Sequence, residues 1–189
     1  RLTTGDSQII MANKHGRAIR FHESTVREMG RTATGVRGMT LDETGDDEVI
    51  GMICIKDPEK ETVMVVSEQG YGKRSEIEDY RITNRGGKGV KTLNITEKTG
   101  NLVAIKSVTD ENDLVIINKS GITLRMKVAD VRIMGRATQG VRLINLEKRN
   151  DEIASVCKVL SETESDSSNS ENIDSASEIN EAEASETTE

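Results

Sequence analysis

Residues 70–93 read GYGKRSEIEDYRITNRGGKGVKTL, and this stretch decides the fold because the chain repeats its pattern twice more. Residues 16–39 read GRAIRFHESTVREMGRTATGVRGM, and residues 121–144 read GITLRMKVADVRIMGRATQGVRLI. The three copies align without a gap at offsets of 54 and 51 positions. A pattern that recurs at such a fixed period is typical of stacked or radially arrayed units, with one supersecondary element per repeat.

Each repeat carries the signals of four short strands. An apolar run is followed by a glycine turn, a return strand that ends on an arginine, a connection around one apolar anchor, and then a third and a fourth strand. Glycine suits the turn because it readily adopts the positive φ that a tight hairpin requires. In the order of the repeats, the apolar runs are 9–12, 63–66 and 114–117, and the turn glycines are Gly16, Gly70 and Gly121. The return strands end on Arg20, Arg74 and Arg125, and the apolar anchors are Val26, Tyr80 and Val131. The third strands begin at Val36, Val90 and Val141, and the fourth strands are 49–55, 102–108 and 153–159.

Four strands in about fifty residues is typical of one blade of a β-propeller. We therefore predict an all-β, propeller-like fold with about three four-stranded blades at 6–58, 59–110 and 111–160. The sustained 3.6-residue periodicity of a helical solenoid is not found in the sequence. Because three blades cannot close a ring, we expect this chain to be part of a larger domain.

The charge is unevenly distributed along the chain. The formal net charge is −7, but residues 161–189 hold ten acidic residues and no Lys or Arg. This leaves 1–160 with 26 basic and 23 acidic residues, a net charge of +3. Residues 161–189 also have too few apolar side chains to offset the entropy of ordering. We predict a basic body followed by a disordered acidic tail at 161–189.

Twelve of the 26 basic residues occupy the same positions in all three repeats. Basic side chains at regular intervals suit a long polyanion, and phosphate contacts of this kind bind duplex DNA without regard to sequence. Aromatic side chains, on which single-stranded bases stack, are too few to favour a single-strand binder. The four basic columns of the alignment are Arg20/Arg74/Arg125, Arg27/Arg81/Arg132, Arg31/Arg85/Arg136 and Arg37/Lys91/Arg142.

Glycines beside some of these cations let the backbone and its N–H groups approach a phosphate closely. We therefore rank the glycine-flanked cations first among the candidate DNA contacts. The competing interpretation is that the arginines form ion pairs between blades, with acids such as Asp79, Asp130, Glu28, Glu76 and Glu78. The candidate DNA contacts, in order, are Arg31, Arg85, Lys88 and Arg136, then Lys73, Arg74 and Lys91, and finally Arg37, Arg142, Arg20 and Arg125.

The sequence shows no catalytic constellation. It has no P-loop and no nucleophile–base pattern, and its two histidines and two cysteines lack metal-ligand spacing. No apolar run reaches transmembrane length, so we expect no membrane association. We expect no catalytic residue, metal or cofactor in this chain, and we expect Cys54 and Cys157 to be buried free thiols in a reduced cytoplasm.

Three stretches of the sequence together resemble the C-terminal DNA-wrapping domain (β-pinwheel) found in the A subunit of bacterial DNA gyrase. They are residues 70–92, GRTATGVR at 30–37 and GRATQGVR at 135–142. The resemblance covers about 1–160. It implies a β-pinwheel, usually of six blades, in which neighbouring blades exchange a strand; the repeats here resemble the last three. The family's hallmark box QRRGGRG is not seen in full, and residues 84–89, NRGGKG, are a shorter version of it.

The resemblance implies that this chain wraps duplex DNA around a basic rim. The holoenzyme would be an ATP-dependent type II topoisomerase of two A and two B subunits, cytoplasmic and nucleoid-associated, that introduces negative supercoils. ATP and Mg²⁺ would bind elsewhere in that holoenzyme. The acidic tail would either modulate wrapping, by competing for the basic rim, or serve only to keep the chain soluble. Two alternatives stay open: the related pinwheel of topoisomerase IV, which serves decatenation, and a protein-interaction propeller without DNA affinity.

Overall fold

The computed structural model describes residues 1–43, 45–146 and 150–161 of the 189. Short strands and three 3-10 helices make up its regular structure, so the all-β prediction is confirmed. Apart from Ser161, the predicted acidic tail at 161–189 lies outside the described residues. The strands are β1 Gln8–Asn13, β2 Arg17–His22, β3 Val49–Ile55, β4 Thr62–Ser67, β5 Tyr71–Glu76, β6 Val90–Lys91, β7 Leu102–Val108, β8 Asn112–Asn118, β9 Thr123–Lys127, β10 Val141–Arg142 and β11 Ile153–Leu160, and the 3-10 helices are Glu23–Thr25, Ile77–Asp79 and Val128–Asp130.

The strand signals of the sequence correspond closely to the observed strands. The predicted fourth strands at 49–55 and 102–108 have the bounds of β3 and β7, and β11 is one residue longer than predicted. The hairpin glycines Gly16, Gly70 and Gly121 have φ values of +76°, +77° and +87°, as predicted. The return strands β2, β5 and β9 continue two residues beyond the arginine at which we expected each to end.

Three antiparallel sheets contain these strands. Sheet 1 has the order β3-β1-β2-β6, sheet 2 has the order β10-β5-β4-β7, and sheet 3 has the order β11-β8-β9. The strands β3 and β7 of sheets 1 and 2 contact each other. We call the β3, β7 and β11 side of each sheet its inner edge, and the opposite side, where β2, β5 and β9 lie, its outer edge.

Neighbouring repeats exchange a strand at the outer edge. The second repeat supplies β6 to sheet 1, where Arg17 pairs with Lys91 and Ala18 with Val90. The third repeat supplies β10 to sheet 2 in the same way. The strand exchange implied by the resemblance is therefore confirmed. Val36, the predicted start of a third strand in the first repeat, is not in a strand, whereas the equivalent residues Val90 and Val141 pair with the sheet of the preceding repeat.

Two glycines make the exchange sterically possible. Gly89 and Gly140 directly precede β6 and β10 and have φ values of +71° and +80°. A Cβ atom on Gly89 would lie 2.4 Å from the carbonyl oxygen of Ala18, and one on Gly140 would lie 2.6 Å from that of Gly72. Because these contacts are with backbone, no side-chain movement could relieve them. These glycines therefore serve the approach of one repeat to the next.

The main cores lie between neighbouring sheets. One cluster joins Ile10 and Ile53 of sheet 1 to Val63, Tyr80 and Ile105 of the second repeat, and a second cluster joins sheets 2 and 3. The predicted anchors Tyr80 and Val131 are buried. The Tyr80 hydroxyl lies 2.5 Å from Thr92 Oγ1, and burial raises the pKa of Tyr80 to about 12. Val26, the anchor of the first repeat, is 36% exposed.

The cysteines are free, but their predicted burial is wrong for one of them. Cys54 is partly buried in β3, whereas Cys157 is exposed. Cys157 lies on β11 at the edge of sheet 3. Along that strand only Ile153 and Val156 are buried in the core, so the intervening side chains face outward.

Candidate nucleic-acid interface

The segment between the return strand and the exchanged strand carries the four predicted contacts that rank first, Arg31, Arg85, Lys88 and Arg136. We call these segments the outer connections: residues 23–35, 77–89 and 128–140. The second and third are attached to the outer edge of the preceding sheet, where Thr83 N donates to Arg20 O and Met134 N donates to Arg74 O, both at 2.8 Å. Isolated parallel bridges pair Arg20 with Ile82 and Arg74 with Ile133. The backbone of each of these connections is therefore held in place.

Arg20 and Arg74 are buried beneath the outer connections, with 5% and 6% exposure. Arg20 Nη1 donates to Ile77 O at 2.8 Å and to Tyr80 O at 2.9 Å. Arg74 Nε donates to Val131 O at 2.9 Å, and its Nη1 binds Asp110. Burial lowers the pKa of Arg20. Both guanidinium groups thus bind carbonyl oxygens of the next repeat.

Lys73, which directly precedes Arg74 in β5, is fully buried. Its Nζ donates to Gly135 O at 2.7 Å, to Arg136 O, and to Ser75 Oγ at 3.3 Å. Burial lowers its pKa to about 8. For Lys73, Arg20 and Arg74 the structure favours a structural role over the predicted DNA contact, because their cationic groups are enclosed and are solvated by backbone carbonyls.

Arg85 and Arg136 make the same bonds in successive repeats. Arg85 donates from Nε to Thr25 O at 2.9 Å and from Nη1 to Arg37 O at 3.1 Å. Arg136 donates from Nε to Asp79 O at 2.9 Å and from Nη1 to Lys91 O at 2.8 Å. Both side chains remain partly exposed. A guanidinium has five N–H donors, so each residue links two repeats and keeps donors for a further acceptor.

The remaining predicted contacts are exposed. Lys91 Nζ donates to Asn94 Oδ1 at 3.2 Å, and Arg125 pairs with Asp113 Oδ2 at 2.8 Å. Arg142 Nη2 donates to the Tyr71 hydroxyl at 3.0 Å. Three other cations make no side-chain hydrogen bond or ion pair with the residues that the structure describes: Arg31, Arg37 and Lys88.

One of the four arginine columns of the alignment lies outside the candidate DNA contacts predicted from the sequence. Arg27, Arg81 and Arg132 are exposed in all three repeats, and their side chains have no hydrogen-bond or ion-pair partner within 1–43, 45–146 and 150–161. Each directly follows the apolar anchor. In extended backbone successive side chains point to opposite sides, so the position after a buried anchor was the available signal. Arg81 and Lys88 line a groove of about 270 Å³ at the outer edge.

Ion pairs between repeats, the competing interpretation of the arginines, are a minor feature of the described residues. Arg20 Nη2 lies 3.9 Å from Glu78 Oε1, and Glu78 is largely exposed. Asp79 accepts a hydrogen bond from the backbone N of Arg136 at 3.2 Å. The arginines that join repeats do so mainly through carbonyl oxygens, which acidic residues in the sequence could not indicate.

A model of the family described as "DNA gyrase C-terminal domain, beta-propeller" matches residues 7–56, 61–109 and 112–157. The chain belongs to this family. Each matched range falls within one of the three repeats, so the family assignment covers the sheets and the outer connections described above.

Relatives and solved structures agree with the family. The chain is 47% identical over 171 residues to the DNA gyrase A subunit of Staphylococcus aureus strain NCTC 8325 / PS 47, covering 90% of this chain and 19% of that protein. It is 52% identical over 146 residues to the corresponding protein of strain MRSA252, covering 77% of this chain and 16% of that protein. The chain therefore spans less than a fifth of the length of these relatives.

Two solved structures share the fold. A DNA gyrase A C-terminal domain aligns with a TM-score of 0.75 at 28% identity over 84% of this chain and 52% of that one. The C-terminal domain of a DNA topoisomerase IV aligns with a TM-score of 0.78 at 24% identity over 85% of this chain and 49% of that one. The second likeness is one of fold alone, and the gyrase assignment rests on the family and its relatives.

Two other kinds of feature are absent from the described residues. No group of three or more His, Cys, Asp or Glu side chains there could hold a metal ion. No helix in the described part of the chain is long and apolar enough to cross a membrane.

Proposed function

We propose that this chain binds duplex DNA along its outer connections and bends it around the outer edges of its sheets, as part of the A subunit of a DNA gyrase. The observation that carries the proposal is the column Arg27, Arg81 and Arg132, which supplies one exposed arginine per repeat without a side-chain partner in the described residues. Such a guanidinium keeps its full set of donors for a phosphate.

The other exposed cations extend this surface. Arg31, Arg37 and Lys88 are also exposed. Arg85 and Arg136 keep N–H donors beyond those that join the repeats. The proposed DNA-binding surface also includes the exposed cations Lys91, Arg125 and Arg142. Smooth bending of 20–30 bp by 40–90° costs roughly 1–6 kcal/mol, and phosphate contacts from successive repeats offset that cost.

The relatives named as DNA gyrase A subunits support a proposal about the wider assembly. We infer that the chain works in an ATP-dependent topoisomerase of two A and two B subunits, in the bacterial cytoplasm at the nucleoid, that adds negative supercoils. ATP and Mg²⁺ would act elsewhere in that holoenzyme. In this assembly the three repeats of the chain would bind and bend DNA, and we expect no catalytic residue among them.

The salt dependence of duplex binding by the 189-residue chain tests the proposal. Each arginine lost from a phosphate is expected to lower the slope of log affinity against log salt by about one. The double variant Arg81→Ala, Arg132→Ala should therefore lower the slope by about two and weaken binding equally for unrelated sequences. Fluorescence anisotropy with a linear duplex at four salt concentrations measures both quantities.

Lys158→Ala is the matched control, because Lys158 is an exposed cation on β11 at the inner edge. We expect wild-type affinity and slope for this variant. Truncation after Ser161 removes ten acidic residues and should strengthen binding by raising the positive charge of the chain. Duplex affinity that is absent, or that the double arginine variant leaves unchanged, contradicts the proposal.

A further inference from the structure

Two isoleucines project from the outer connections into solvent. Ile82 is 56% exposed and Ile133 is 48% exposed, and they occupy the same position of the second and third repeats. Isolated exposed apolar side chains are common on proteins. These two differ because they recur in register, one position after the exposed arginines Arg81 and Arg132.

The backbone beneath each isoleucine is held to the preceding sheet. Ile82 bridges to Arg20 and Ile133 bridges to Arg74. The next residue in each case, Thr83 or Met134, donates its N–H to the carbonyl of that same arginine at 2.8 Å. An apolar side chain on such a fixed backbone loses little further entropy when it enters a binding partner, whereas one on a mobile loop would lose more.

The surroundings of the isoleucines define the chemistry of the partner. Arg81 and Arg132, the chain neighbours of the isoleucines, are exposed and have no side-chain partner among the described residues. Duplex DNA that follows the outer connections, as proposed above, therefore passes both the arginines and the isoleucines. Duplex DNA presents phosphates at the edges of its grooves and apolar sugar faces and stacked bases within them. Apolar side chains on DNA-bending proteins enter the minor groove, partly unstack a base step and kink the duplex.

We propose that Ile82 and Ile133 are apolar wedges that enter the minor groove of the bound duplex and localise its bending at the second and third repeats. This inference rests on the proposed function and adds to it: the arginines hold phosphates, and the isoleucines set where the duplex kinks. The first repeat has Glu28 at this position. Its negative charge opposes entry into the groove, so the first repeat bends DNA without a wedge.

The double variant Ile82→Ala, Ile133→Ala in the 189-residue chain tests the wedges. We expect affinity for a linear duplex to fall about three- to tenfold, with the salt slope unchanged because no phosphate contact is lost. Energy transfer between dyes at the duplex ends should report a smaller bend. Duplexes with 2-aminopurine at single steps should lose the fluorescence rise that accompanies unstacking.

Ile122→Ala is the matched control. Ile122 is 39% exposed but lies in the β8–β9 turn, and we expect it to leave affinity, bend and fluorescence unchanged. A gain of function provides a second test. Glu28→Ile should add a wedge to the first repeat and increase bending and unstacking beyond Glu28→Gln, which removes only the charge.

The possible outcomes separate the two proposals. If the wild-type chain binds duplex with the expected salt slope and the isoleucine variants match it in affinity, bend and fluorescence, the wedge is overturned and the isoleucines belong to a protein contact. If the double variant lowers the salt slope, its effect acts through the arginines, which also overturns the wedge. If the wild-type chain does not bind duplex, the proposed function fails and the wedge fails with it.

Discussion

The junction between sheets 1 and 2 and the junction between sheets 2 and 3 share a backbone plan. At the inner edge, Leu102 N donates to Lys14 O at 2.9 Å in the first junction, and Ile153 N donates to Glu68 O at 2.8 Å in the second. At the outer edge, the N–H groups of Thr83 and Met134 bond to the preceding sheet at the same distance of 2.8 Å.

The side chains inside the two junctions differ. In the first, Ile19 packs with Ile9, Phe21 and Met39 of its own repeat, and its Cδ1 lies against Gly87 of the second repeat. In the second, the equivalent residue is Lys73, whose amino group binds the carbonyls of Gly135 and Arg136. Strand exchange and its backbone hydrogen bonds therefore set the geometry of a junction. An apolar or a cationic side chain can then fill it, provided that enclosed polar groups find partners.

Exchanging these side chains should give the largest effect on stability. Ile19→Lys places a cation in an apolar cluster and should lower the free energy of unfolding by about 3–5 kcal/mol. Lys73→Ile leaves two carbonyls without their donor but removes a buried charge, and should cost about 1–3 kcal/mol. Urea unfolding measures both, with Ile19→Leu as a control that should cost less than about 1.5 kcal/mol. Equal losses for the two exchanges would contradict the difference between the junctions.

Loss of the buried arginines should rank next. Arg20→Ala and Arg74→Ala should each lower the free energy of unfolding by about 2–3 kcal/mol, because carbonyls of the next repeat lose charged donors. We expect the larger loss for Arg20, which binds two such carbonyls, whereas Arg74 binds one. The same denaturation assay decides the order. Arg27→Ala, which removes an exposed cation, should change stability by no more than about 0.5 kcal/mol.

The partly exposed arginines should affect both junctions equally. Arg85→Ala and Arg136→Ala each remove two hydrogen bonds to carbonyls of the preceding repeat. We expect a loss of about 1 kcal/mol for each, since exposure weakens these bonds. Thermal unfolding of the two variants side by side tests this equality. A loss confined to one of them would show that the shared bonds do not carry equal weight.

The pH dependence of stability should show the smallest effect. The pKa of Lys73 is about 8 in the folded chain, below its ordinary value of 10.5. Between these values the unfolded chain binds a proton that the folded chain does not, so the contribution of Lys73 to the free energy of unfolding rises with pH from about 8 towards 10.5. Melting temperatures of the wild-type chain and Lys73→Met between pH 7.5 and 10 should therefore diverge in favour of the wild type. A constant difference would contradict the lowered pKa of the buried Lys73.

Local signals in the sequence predicted the strands and hairpins well. Apolar runs and turn glycines depend on neighbouring residues only, so β1, β4 and β8 and the turns at Gly16, Gly70 and Gly121 could be placed from one repeat. The sequence did not predict the function of the glycines that precede β6 and β10. We expected glycines in this stretch to admit a phosphate, and Gly89 and Gly140 instead admit the backbone of the preceding repeat.

The sequence by itself determined the period, the all-β class and the register of basic columns, because each follows from spacing along the chain. Only the tertiary structure decided which of these basic residues are buried. Arg20 and Arg81 are both repeated arginines in the sequence, but the incoming outer connection covers the first and leaves the second exposed. The physical reason is that strand exchange joins residues of different repeats, and the carbonyls that it encloses bind the nearest cations.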